Sequence, residues 1–138
     1  MPVTCPPTVP RVTSEERGYV RNEHAPGSAR LFVRTRLAEW GFGHLIASAE
    51  LVVSELVTNS VQNAPGDEVA VRLEMSGGVV CVRVRDDSPG MPEQRAVTGD
   101  AVNGRGLVIV DALSLEWGAY PVAGGGKVTW ATIAEGGI

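Results

Sequence analysis

"EVAVRLEMSGGVVCVRVRDD", residues 68–87, consists of two alternating runs joined at a glycine pair. Val69, Val71, Leu73 and Met75 alternate with polar or small residues, and "VVCVRVRDD" then returns rich in valine. A period of two puts every second side chain on one face, as a half-buried strand requires. "SGG" between two such runs predicts a hairpin, and hairpins build antiparallel sheet.

Moving toward the N-terminus, "APGDE" turns the chain and the period changes to three and four. Leu45, Ala49, Val52, Val53, Leu56, Val57 and Ala64 share one face of a helix predicted from about Ile46 to Ala64. Glu55 and Asn59 fall together at one border of that stripe, one turn apart. An earlier helix is expected over 29–40, with Ser28 as N-cap and "GFG" at 41–43 ending it. "RGYVRNE" at 17–23 reads as a short edge strand that "HAPG" breaks, and residues 1–15, with four prolines and no periodicity, as a disordered leader before a single domain at 16–138.

Toward the C-terminus, residues 88–106 are rich in Gly, Pro and small polar residues, a long loop of the kind that carries function. A short helix, "LVIVDALS", follows, then two strands at about 115–122 and 127–133 joined by "AGGG". Helix, helix, hairpin, loop, short helix and hairpin together predict an α+β fold. Its form is a two-layer sandwich, with a mostly antiparallel sheet covered on one face by helices.

The bulk properties narrow the function. At 138 residues and 20% charged, the chain suits one globular domain. Its net charge of −4 argues against general nucleic-acid or membrane-surface binding. Of its 12 basic residues all but Lys127 are arginine, read as a coding bias. Two cysteines, Cys5 in the leader and Cys81 among valines, suggest neither a disulfide framework nor a zinc site. With no membrane-length apolar run and no signal-peptide layout, the expected location is cytoplasmic.

"GGGKVT" at 124–129 suggests a phosphate-binding P-loop, but Pro121 and Val128 stand where that motif needs Gly and Ser or Thr. It joins two strands and reads as a hairpin turn. His24 and His44 stand alone in loop contexts. Three features remain: the Glu55–Asn59 pair, "RDDSPG" at 85–90 ending an apolar strand, and "NGRGL" at 103–107 opening a helix. Glycines let backbone approach a ligand, and helix N-terminal amides attract phosphate.

In this order the three resemble the boxes of the GHKL, or Bergerat-fold, ATPases, most closely the anti-sigma-factor serine/threonine kinases of bacterial partner switching. "VVSELVTNSV" is similar to the family's N-box. "DDSPG" is similar to its D-x-G-x-G box, with Asp86, Ser88 and Gly90 at the marked positions and Ser88-Pro89 departing from the usual residues. "GRGL" is similar to its G-x-G-L box, the loop before it to the ATP lid, and "GSARLFV" with Arg30 to the start of its first helix. The resemblance implies the histidine kinase-like ATPase fold, with ATP and Mg2+ as cofactors. Asp86 would accept from the adenine amino group, with Gly90 leaving room beside the base. Asn59 would ligate magnesium, and Gly104, Gly106 and Leu107 would form the phosphate-holding box. Glu55 would be the general base, and Arg30 a partner contact. The implied function is an anti-sigma factor with protein serine/threonine kinase activity. It would phosphorylate an anti-sigma-factor antagonist and sequester a sigma factor, without direct nucleic-acid or membrane contact. A homodimer is left open. The rival reading is an ATP-gated protein-binding switch without phosphotransfer.

Overall fold

The computed structural model describes residues 13–63, 66–87 and 108–134. Its centre is the hairpin expected from the alternation: β2 (Glu68–Ser76) pairs antiparallel with β3 (Val79–Asp86). Ser76 faces Val79 across the turn, so the loop is Gly77-Gly78, with φ of +59° and +83°. Two successive positive φ values suit glycine and match the strand twist. Leu73 then faces Val82 and Val71 faces Val84, so the buried valines of both strands share one face.

β3 also pairs with β5 (Lys127–Ala134), and β5 with the edge strand β4 (Glu116–Pro121). The hairpin turn between β4 and β5 is thus where "AGGG" predicted it. At the other edge lies β1 (Thr13–Val20), giving a five-stranded antiparallel order β1-β2-β3-β5-β4 among the described residues. β1 begins at Thr13, inside the segment expected as leader, and four residues before the expected edge strand. It reaches this far because all eight of its residues pair with β2. The helix-facing side chains of its N-terminal part are polar, which hid it: Glu15 pairs with Arg36 at 3.2 Å, and the Arg17 guanidinium lies 5.1 Å from the Phe32 ring centre.

Two helices cover that face. α1 (Ala25–Glu39) starts earlier than expected, with His24 at the N-cap in place of Ser28. β1 does end before "HAPG", at Val20, but that stretch also opens the helix, because Pro26 falls in the first helical turn, where a missing N–H leaves no bond unmade. A 3-10 turn at Gly43–Leu45 leads into α2 (Ile46–Asn63), whose buried Ala49, Val52, Val53, Leu56 and Val57 are the predicted stripe. Together with Phe32, Val33 and Leu37 of α1 they pack on the valines of β2 and β3 and on Ala131 and Ile133 of β5. Residues 108–113 are helical, bury Val110, and are tied to β4 by a 2.9 Å bond from Trp117 Nε1 to Asp111.

The opposite sheet face carries ion pairs, including Arg83 with Glu74 at 3.1 Å and Arg72 with Glu74 at 2.7 Å. Beside them Cys81, Val128 and Trp130 form a small second apolar cluster. Cys81 is disulfide-bonded, although the sequence suggested no disulfide framework. No helix among the described residues is long and apolar enough to cross a membrane.

Candidate functional site

The apolar layer between α2 and the sheet becomes polar at one end. On α2 the buried positions run Val53, Leu56, Val57 and then Ser60, which is 4% exposed. On β3 the core-facing positions run Val80, Val82, Val84 and then Asp86, which is 3% exposed. Each element thus ends its inward face on a polar residue, and the two meet: Ser60 Oγ donates to Asp86 Oδ2 at 2.5 Å. A carboxylate this deep is costly unless it is hydrogen-bonded and paired. The pairing comes from β5, where Lys127 is the register partner of Asp86 and its Nζ lies 3.7 Å from the same Oδ2.

The backbone around Asp86 is equally tight. Gly126 has φ +96°, and a Cβ there would lie 2.5 Å from the Asp86 carbonyl oxygen. Only glycine permits that approach. The C-terminal end of α2, next to Ser60, is held by Arg21, whose Nη1 donates to the Val61 carbonyl at 2.6 Å and whose Nε donates to the Gly66 carbonyl at 2.7 Å. A cation at a helix C-terminus satisfies carbonyls that have no partner within the helix.

Asn59 immediately precedes Ser60 on α2, so the contact with Asp86 and the Asn59 amide share one turn of helix. Both Asn59 and Glu55 are half-buried, as the border of the stripe predicted. The Asn59 side-chain oxygen accepts from Asn63 Nδ2 at 3.0 Å, and the same Nδ2 donates to the Asn59 carbonyl at 2.9 Å. An amide oxygen has two lone pairs, so this bond leaves capacity for a cation. Among the described residues no group of three His, Cys, Asp or Glu could hold a metal. A single neutral oxygen is compatible with magnesium that keeps its waters and is carried on phosphates, and with little else.

The structure therefore sets Asp86 against Ser60 at one end of the α2–β3 interface, with Asn59 next to Ser60 and Glu55 one helical turn earlier on α2. Arg30 sits elsewhere than its expected place at a helix start. It is the sixth residue of α1, and its Nη1 donates to Ser54 of α2 at 2.8 Å. Gly90, Gly104, Gly106 and Leu107, with Ser88 and Pro89, lie outside the described residues. Two residues of the site went unread in the sequence. Ser60 could have been found as the polar member of an apolar stripe, and Lys127 as the single lysine of an arginine-rich chain. A separate hollow of about 260 Å³, lined by Arg72, Glu74, Arg83 and Tyr120, lies on the opposite sheet face and shares none of these residues.

A comparison with protein families decides what this arrangement belongs to. Residues 45–136, well over half of the chain, match the family described as histidine kinase-, DNA gyrase B- and HSP90-like ATPase. The chain is a GHKL ATPase domain. The matched span of this domain holds α2, β2, β3, β4 and β5 entire, and with them Glu55, Asn59, Ser60, Asp86 and Lys127; β1 and α1 precede it. No curated protein matches the chain.

Proposed function

We propose that this GHKL domain is an ATP- and magnesium-binding anti-sigma regulatory factor with protein serine/threonine kinase activity. The observation that carries the nucleotide reading is the buried Asp86 carboxylate, held by Ser60 beside Asn59 and one turn from Glu55. In this reading Asp86 accepts a hydrogen bond from the adenine 6-amino group. A charge-assisted bond of that kind is worth about 1.5–3 kcal/mol and disfavours guanine, which presents a carbonyl there. Asn59 offers its side-chain oxygen to the metal. ATP, when bound with magnesium, supplies the transferable phosphoryl group. Glu55 accepts the proton of a serine or threonine hydroxyl on an anti-sigma-factor antagonist as that oxygen bonds to the γ-phosphorus and the bond to the ADP oxygen breaks.

The choice of antagonist and sigma factor as partners rests on the likeness of "VVSELVTNSV", "DDSPG" and "GRGL" to the boxes of the anti-sigma kinases. Phosphorylated antagonist is released, and the chain then sequesters the sigma factor, with Arg30 at the contact surface.

The test is incubation of the purified protein with γ-labelled ATP and each candidate antagonist of the same genome. Label should pass to a serine or threonine of one of them. Glu55→Ala should retain ATP affinity within a few-fold and lose transfer by roughly 10²–10⁴-fold. If wild type and Glu55→Ala bind ATP alike and neither labels any partner, the kinase reading is wrong and an ATP-gated binding switch replaces it.

A further inference from the structure

We infer that Lys127 is a positioning residue for the purine-binding carboxylate and, through it, a determinant of preference for the adenine 6-amino group. This rests on the nucleotide reading of Asp86 given above. Lys127 is the single lysine in a chain with eleven arginines, so the compositional habit that supplies arginine elsewhere does not hold here. It is the first residue of β5 and faces Asp86, the last residue of β3, across the ladder. Its side chain is only 12% exposed and that of Asp86 is fully buried.

Among the described residues, Ser60 and Lys127 converge on one oxygen of Asp86. Ser60 donates to Oδ2, and the Lys127 ammonium lies 3.7 Å from that same atom. At this distance the ammonium attracts the carboxylate without claiming a directed hydrogen bond. Turning the carboxylate away from the purine would separate Oδ2 from both. The turn before β5 enforces the approach, because Gly126 packs directly on the Asp86 carbonyl. An arginine would act differently. Its planar guanidinium forks onto both oxygens of a carboxylate, and the second oxygen is the one the purine amino group needs. A compact ammonium holds the charge and leaves the geometry to Ser60.

The experiment compares two nucleotides by titration calorimetry: Mg-ATP, and the Mg-triphosphate of purine riboside, which lacks the 6-amino group. Wild type, Asp86→Asn, Lys127→Met and Lys127→Arg are each measured, with circular dichroism to confirm folding. Wild type should prefer ATP. Lys127→Met should weaken ATP by about tenfold, part of the worth of one charge-assisted bond, and change the analogue less than about twofold. Lys127→Arg keeps the charge and should also lose the preference. A loss shared equally by both nucleotides would show a merely structural ion pair and overturn the inference. If Lys127→Met does not fold, an undiminished preference for ATP in Lys127→Arg overturns it. Should wild type bind neither nucleotide, or Asp86→Asn keep the full preference for ATP, the nucleotide reading of Asp86 fails and the inference falls with it.

Discussion

At the scale of the residue, the chain sets a buried carboxylate and a buried phenol in opposite situations. Asp86 has donors, so removing one exposes the desolvation penalty of the charge. Ser60→Ala is expected to destabilise the protein by about 1–3 kcal/mol in urea unfolding and to weaken ATP together with it. Tyr19 has its hydroxyl buried with no hydrogen-bond partner among the described residues. Burial pushes the phenol above its ordinary 10.0, against a smaller opposite pull from Arg17. The neutral phenol is therefore favoured in the folded state, and the unfolded chain ionises first. Its stability contribution is complete below the ordinary tyrosine range and is lost as pH rises through the folded value. Tyr19→Phe should equal or exceed wild type by about 1 kcal/mol near neutrality, because an unmet donor is removed. It should also lose less stability between pH 9 and about 11. A wild-type-like alkaline loss in the variant would show that Tyr19 is not the group responsible.

At the scale of the element, the β4–β5 turn gives a paired test. Gly124 and Gly126 both have positive φ, +89° and +96°, so alanine strains either one. At Gly124 a Cβ meets nothing within 4 Å, whereas at Gly126 it meets the Asp86 carbonyl. Gly124→Ala should cost about 1–3 kcal/mol of backbone strain and leave nucleotide affinity unchanged. Gly126→Ala should be less stable still and should bind ATP more weakly, since Asp86 has to move. Equal ATP affinity in the two variants would detach the turn from the site. The β2–β3 hairpin and α2 were legible because each carries its own periodicity, two and three-to-four, over many residues. The start of α1 was not, because proline reads as a breaker until its place in the helix is known. β1 was missed at its N-terminal end because its helix-facing residues there are Glu15 and Arg17, whose contacts with Arg36 and Phe32 belong to another element.

At the scale of the molecule, a ligand that binds only the folded state stabilises the whole cooperative unit. Saturating Mg-ATP at a hundred times its dissociation constant should add about 2.7 kcal/mol, read as a raised thermal midpoint. Asn59→Ala should lose most of the magnesium-dependent part of that shift, because it removes the proposed metal ligand while raising helix propensity. A shift identical with and without magnesium in wild type would remove Asn59 from a metal-binding role. Arg30 belongs to this scale too. Its bond to Ser54 ties α1 to α2 on the helical face of the domain. Arg30→Ala should keep nucleotide binding and weaken capture of a protein partner in pull-down. Unchanged capture of every cognate partner would leave Arg30 a strut between the helices.

The sequence by itself determined the hairpin, the α2 stripe, the Glu55–Asn59 border and the acidic end of β3, since each is written in local spacing. Tertiary structure decided which strand lies next to Asp86. β5 runs between β3 and β4, although β4 precedes it in the chain, and that order alone sets Lys127 opposite Asp86. It also decided that Ser60 faces the carboxylate. A buried charge is tolerable only where its partners converge. Those partners come from α2 and β5, elements whose own periodicities carry no record of which strand they will meet.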